Sequence, residues 1–423
     1  MKFQGRQTVN NMLVMTVLIA GAYFASFYTP MLGTGAMMGY QARPVDYAYF
    51  YRNDQDIPGE EEVRRLAEDY DVNITFWAEA PMIRLAVDGE YDVESEGPMG
   101  ATYEVKYSEQ VQSKLFLSES SYEALTGESI DLEPGQIAGI MDSTGDGQGV
   151  FGGNAGVVTN YITGEKYYVN SDTELRNDVL FGRYVCDDSD FEKMGEGLPD
   201  DWRETMVFFN VENCNETYDF AKALFNAIVD ASGPEVEQYD SWDPVVRDRE
   251  VSETGAYFMD MYAPDYDQRD SSDFRFYWKY MPQFRVLDEA DFVRTTAVFL
   301  MLFIFIAIVC FSAVYVIAYT RCMTIALNNR QVYEDIRKLG ASREYLFRSV
   351  RSQISKVFSV PAVTGTGLIY AFYAMIMYFN DNRLTVTEIA GMGVCLLVVA
   401  AVSLLTWLIY RFTLRKVCSA LNI

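Results

Sequence analysis

The stretch AVFLMLFIFIAIVCFSAVYVIAY (297–319) contains no charged residue. A helix needs about 20 consecutive apolar residues to cross the hydrocarbon core of a bilayer, so this stretch reads as a membrane span. Two further charge-free stretches lie downstream, at 357–379 and 389–410. A fourth apolar stretch, MLVMTVLIAGAYFASFY (12–28), lies far upstream and comes after Lys2 and Arg6. That layout is shared with a cleaved secretory leader. However, Tyr28, Thr29 and Pro30 give no clear small-x-small cleavage site, and the flanks can extend the stretch to a full span. On either reading, the polar sequence after residue 30 is exported.

The expected fold is therefore a membrane protein: four transmembrane α-helices with a large α+β extracytoplasmic domain between helices 1 and 2. The segments are an N-terminus (1–11), helix 1 (12–30), the exterior domain (31–294), helix 2 (295–320), a cytoplasmic loop (321–356), helix 3 (357–379), an external loop (380–388), helix 4 (389–410) and a tail (411–423). Orientation is set by the Lys/Arg bias. The loop holds Arg321, Arg330, Arg337, Lys338, Arg343, Arg348, Arg351 and Lys356 against Glu334, Asp335 and Glu344, and the tail adds Arg411, Arg415 and Lys416. Both termini then lie in the cytoplasm of a multi-pass plasma-membrane protein. The formal net charge of −26 averages that basic side with a strongly acidic insert. An anionic exterior attracts cationic ligands such as peptides, and it equally serves as a solvated surface.

The chain has no histidine, which excludes Ser-His-Asp and Cys-His catalysis and histidine metal sites. It has no GxxxxGKS or GxxxxGKT phosphate loop and no CxxC pair. No spacing singles out a catalytic carboxylate pair, so the chain reads as non-catalytic, with no cofactor of its own and no nucleic-acid partner. Of six cysteines, only Cys186 and Cys214 fall in the exterior domain. They allow one disulfide, or two buried free thiols. Asp142-Ser-Thr144-Gly-Asp146-Gly147 resembles the start of a calcium loop, but Gly153 stands where a bidentate Glu is required.

Within the exterior domain, 45–51, 72–78 and 82–87 read as strands and Gly59–Tyr70 as a helix with acids in its first turn. Ser118–Leu125 and Glu216–Val229 read as helices, the latter with Phe220, Leu224 and Ile228 at four-residue spacing. Phe274–Trp278 reads as a strand and 232–255 as loop.

In the cytoplasmic loop, Val332, Ile336 and Leu339 share one face of a short helix with Glu334, Asp335, Arg337 and Lys338 around it. Gly340 is a C-cap, and Ser342 can cap a second helix carrying Leu346, Val350, Ile354 and Val357. An amphipathic interfacial connector would have the same pattern.

The sequence NNRQVYEDIRKLGASREYLFRSVRSQISKVFSVP (328–361), with IRKLGAS (336–342) at its core, resembles the coupling region of FtsX-like ABC transporter permeases. The likeness covers roughly 285–420, and is greatest to the C-terminal half of the longer Gram-positive permeases of antimicrobial-peptide resistance. The exterior domain is similar in layout only. The resemblance implies a permease subunit that works with a separate ABC ATPase, which binds the ATP, and with a second copy or a paralogous permease half. Val332, Tyr333, Glu334, Asp335, Ile336, Arg337, Lys338, Leu339, Gly340 and Ala341 would form the ATPase-coupling segment. The substrate would be amphiphilic: a cationic antimicrobial peptide, a lipid-linked molecule or a lipoprotein. A non-transporting transmitter that controls a wall hydrolase or sensor kinase, and a membrane-anchored binding protein, are the alternative expectations.

Overall fold

The computed structural model describes residues 2–97, 100–141, 155–232, 243–257, 265–278, 280–381 and 386–422. The calcium-like segment Asp142–Gly153 lies outside them. The chain divides into a helical unit (Met1–Gly39 with Thr296–Ile423) and a sheet-rich unit (Tyr40–Thr295).

Along the chain, α1 (Lys2–Ala42) leads to β1 (Tyr47–Arg52), α2 (Glu60–Asp69), β2 (Ile74–Gly97), β3 (Gly100–Ser118) and α3 (Glu119–Thr126). Then come β4 (Gln136–Met141), β5 (Val157–Thr159), β6 (Lys166–Tyr168), β7 (Asn170–Arg176), β8 (Tyr184–Cys186), α4 (Asp188–Met194) and β9 (Arg203–Val211). The chain continues through α5 (Tyr218–Ala231), α6 (Pro244–Thr254), α7 (Ser272–Tyr277), β10 (Gln283–Phe284), α8 (Arg285–Asn328), α9 (Arg330–Lys338), α10 (Arg343–Asp381) and α11 (Val386–Ala420).

The sheet-rich unit is a mixed sheet of order β10-β1-β9-β2-β3-β8-β4-β7, with β5 pairing on β2 and β6 on β5. Both faces are buried, and strand alternation shows how. Tyr47 and Tyr49 of β1 join Val207 and Phe209 of β9 in a core with Phe220, Leu224 and Ile228 of α5 and Val63 and Ala67 of α2. The intervening Ala48, Met206 and Phe208 face the opposite core, with Tyr122 and Leu125 of α3.

Three expectations fail here for identifiable reasons. Residues 74–78 and 82–87 belong to the single strand β2. Pro81 lacks an N–H, yet Ala80↔Met206 and Pro81↔Thr205 keep the β9 register across it. Phe274–Trp278 is mostly the helix α7. The Ser271 hydroxyl caps it by accepting from Phe274 N at 3.1 Å, and Phe274 and Trp278 are buried four residues apart. The cap and core outweigh aromatic β-propensity. Finally, 244–254 is the helix α6 rather than loop. Asp243 caps it by accepting from Val245 N and Val246 N, Pro244 occupies its first position, and Gly255 (φ +79°) ends it.

Four helices in the described residues are long and apolar enough to cross a membrane: Val9–Tyr28, Arg285–Asn328, Arg343–Phe379 and Glu388–Ala420. Their shared core uses four-residue spacing: Met15, Ile19, Tyr23 and Phe27 on α1, and Val314, Ala318, Cys322 and Ala326 on α8. Hydroxyls join the helices. Tyr373 donates to Phe24 O at 3.0 Å, and Tyr315 and Thr406 share a 3.1 Å hydrogen bond.

α1 and α10 approach closely at Gly365. A Cβ there would lie 2.8 Å from Ile19 Cγ2 and 3.1 Å from Thr16 O. Gly365→Val is expected to force α1 off α10 and destabilise the helical unit by about 1–3 kcal/mol, as overpacking does. Thermal unfolding in detergent measures this, and adding Ile19→Ala should restore part of the loss. An unchanged midpoint in Gly365→Val would dispose of the contact.

Candidate functional site

All ten residues of the expected coupling segment fall on one helix–turn–helix elbow of the helical unit. α8 ends at Asn328, and α9 starts at Arg330. Arg330 pairs with Glu334 at 3.2 Å and Lys338 with Asp335 at 3.7 Å along its outer surface. Such exposed pairs add little stability, typically about 0.3–0.5 kcal/mol. What fixes the elbow is its C-terminus. Gly340 has φ +95°, its N–H donates to Arg337 O at 3.1 Å, and Ala341 N donates to Ile336 O at 3.2 Å. This is the paired 5→2 and 6→1 closure of a Schellman motif, with glycine in the left-handed position. Ile336 and Ala341, the two residues that the motif brings together, both pack against the helical core. Ser342 then caps α10, accepting from Tyr345 N at 3.2 Å. Leu346, Val350, Ile354 and Val357 carry α10 inward, all buried.

The apolar residues expected to meet the ATPase together divide between two surfaces of α9. Val332, Ile336 and Leu339 do not point the same way. Tyr333 (8% exposed) and Ile336 pack inward, while Val332 is 53% and Leu339 87% exposed. At about 100° per residue, Ile336 sits between two flanks: Tyr333 on one, Val332 and Leu339 on the other. The helix turns the Tyr333 flank to the core. Asp335, Arg337 and Lys338 are exposed and Glu334 is half-buried. The outward surface of α9 thus carries two aliphatic side chains, Val332 and Leu339, among charges.

A cavity of about 550 Å³ also opens among α1, α8, α10 and α11, with Tyr23, Phe311, Tyr315, Thr366, Thr406 and Trp407 in its wall. Its mixture of apolar surface and hydroxyls was not legible from sequence, because each helix contributes only a few residues.

Of the two alternatives for Cys186 and Cys214, the structure has the buried free thiols and not the disulfide. Cys186 and Cys214 are free thiols, each buried in a different core cluster. Cys186 ends β8, where its thiol donates to Leu117 O at 3.5 Å, and Cys214 lies just beyond β9. β2 and β3 lie between β8 and β9. At roughly 4.8 Å per strand, that alone exceeds bridging distance. Burial pushes both thiols up, Cys214 to about 12, so neither is a reactive thiolate. Among the described residues, no cluster of three or more Cys, Asp or Glu could hold a metal ion. Comparison with known protein families and with curated proteins finds no match to this chain.

Proposed function

We propose that this chain is the membrane subunit of an ATP-driven complex of the FtsX-like permease kind. In this reading, a separate ABC ATPase hydrolyses ATP, and the chain pairs with a second copy or a paralogous half. Movement of its helices is passed to an extracytoplasmic sheet-rich domain that acts on an amphiphilic substrate, such as an antimicrobial peptide, a lipid or a lipoprotein.

The observation that carries the reading is the elbow. A glycine-closed helix lies between two membrane-length helices, held by Tyr333 and Ile336 and presenting Val332, Leu339 and charged side chains outward. Two features support it. The stretches 297–319, 357–379 and 389–410 contain no ionisable Asp, Glu, Lys or Arg, so no polar path through the bilayer is marked. And α8 is one uninterrupted helix from Arg285 to Asn328. Its first turns are tied by ion pairs of Arg285 with Asp46, Arg43 with Asp288 and Arg275 with Asp291. In the proposed mechanism this helix is the covalent link between the exterior domain and the elbow, the two ends that a coupled switch must bias.

Sided thiol labelling tests the arrangement. An impermeant maleimide on intact cells should label cysteines placed at surface positions in 100–270 and near Asn382. It should miss Arg343→Cys and Ser419→Cys, which the positive-inside bias puts in the cytoplasm. External labelling at Arg343→Cys would overturn the orientation and the function with it.

A further inference from the structure

The sheet-rich unit encloses a second cavity, of about 320 Å³, whose wall includes Phe50, Arg84, Ser113, Lys114, Arg183 and Asp243. Strand pairing assembles it. Arg84 of β2 pairs with Leu115 of β3, and Phe116 pairs with Tyr184 of β8, so Arg84, Leu115 and Arg183 come side by side across three strands. Arg84 and Lys114, both half-buried, and the buried Arg183 thus meet at one cavity.

Two carboxylates stand nearby. Glu204 is wholly buried; its Oε1 accepts from Arg84 Nε, at 3.1 Å, and from Nη2, while its Oε2 has no hydrogen-bond partner among the described residues. Asp243 accepts from Ser113 N through both oxygens, at 3.0 and 3.1 Å, and from the first turn of α6. Arg183 is 8% exposed. Its Nη1 donates to Val179 O and Phe181 O, both at 3.3 Å, and its guanidinium lies 5.0 Å from the centre of the Phe50 ring. Among the described residues it forms no ion pair, and its Nε has no hydrogen-bond partner. Burial pushes Arg183 down to about 10 despite the pull of Glu204, and burial also pushes Lys114 down. An interior guanidinium with an open donor at a cavity wall is costly unless an anion meets it.

We propose that this cavity binds an oxyanion, a phosphoryl or carboxylate group, held by Arg183 and Lys114 with Phe50 against the body of the ligand. The volume exceeds that of a bare ion and falls in the range of small-molecule sites, so the group belongs to a larger ligand, whether a free phosphate ester or a lipid headgroup. Arginine suits this role because its planar fork meets two oxygens at once. The proposal is independent of the permease reading.

The test uses the full chain in detergent, with unfolding monitored by tryptophan fluorescence. Inorganic phosphate, at ionic strength matched with chloride, should raise the unfolding midpoint saturably, as a ligand of the folded state does. Arg183→Gln should weaken the response at least tenfold and Lys114→Gln several-fold. Without phosphate, Arg183→Gln should unfold no earlier than wild type, because it removes an unmet buried cation. Water-soluble dihexanoyl phosphatidic acid separates the sources: tighter binding than phosphate assigns a lipid headgroup, and equal or weaker binding a free anion. Either result must depend on Arg183 and Lys114. No response of the wild type to either probe overturns the proposal, as does a response unchanged in both variants. Early unfolding of Arg183→Gln together with a phosphate-blind wild type would show that the counter-charge comes from the chain itself. If Arg183→Gln does not fold, Lys114→Gln decides alone.

Discussion

Glu204→Leu should lower the stability of the sheet-rich unit by about 3–5 kcal/mol, the usual consequence of removing one member of a buried ion pair. Glu204 has no exposure, and its Oε1 meets both Nε and Nη2 of Arg84. Arg84, Lys114 and Arg183 line the same cavity with one carboxylate, Asp243, so the loss of Glu204 leaves a buried Arg183 and two half-buried cations with less counter-charge. The cost therefore comes less from the lost attraction than from the stranded charges. For a unit of this size the unfolding midpoint should fall on the order of 10 °C. Adding Arg84→Met to Glu204→Leu should recover most of the loss, because an apolar pair of similar volume has no charge to desolvate. Thermal unfolding of wild type, single variant and double variant measures both effects. A loss under about 1 kcal/mol in Glu204→Leu would mean that solvent reaches the pair, and the burial argument for the cavity would go with it.

That cluster also shows where the sequence stopped being informative. Arg84, Lys114, Arg183, Glu204 and Asp243 are ordinary charged residues, scattered across the chain, and they come together through the pairing of β2 with β3 and β9, of β3 with β8, and the docking of the Asp243 cap on Ser113. Non-local strand pairing leaves no local signature, so neither the sheet order nor the cavity could be read in advance. Local features were legible where one physical rule dominated. Length and apolarity located the membrane-length helices. Three glutamates in the first turn announced α2. Gly340 marked the elbow, because its left-handed φ serves a purpose that few other residues can. α7 and α6 were missed because a serine and an aspartate cap outvoted the composition of the residues after them. On α9 the spacing was legible, but which stripe meets the core was not. Val332, Ile336 and Leu339 do cluster on the helical wheel, yet the core selects the neighbouring stripe through Tyr333.

The stripe that meets the core decides which substitution isolates coupling. Leu339→Asp should strongly weaken association with the ATPase while leaving the protein folded, because Leu339 is 87% exposed and contributes nothing to the helical core. If Leu339 is an anchor of the contact, its loss is worth about 2 kcal/mol or more, roughly thirtyfold in affinity. Val332→Asp should act in the same direction. Ile336→Asp is a poorer probe, since it buries a charge against the core and disturbs the elbow itself. Gly340 supplies the matched control for shape. Nothing lies within 4 Å of a Cβ placed there, so a substitution meets no clash and only the backbone conformation resists it. Gly340→Val should cost about 1–2 kcal/mol, open the Schellman closure and reduce coupling, whereas Gly340→Asn, which tolerates a left-handed φ, should retain most of it. Co-purification of ATPase activity with each variant from membranes gives the measurement, with thermal unfolding as the check on folding. Undiminished recovery with both Leu339→Asp and Val332→Asp would reduce the elbow to a connector at the membrane surface. Loss with Leu339→Asp and Gly340→Val but not Gly340→Asn would tie association to the outward flank of α9 and to the angle at which the glycine turn holds it.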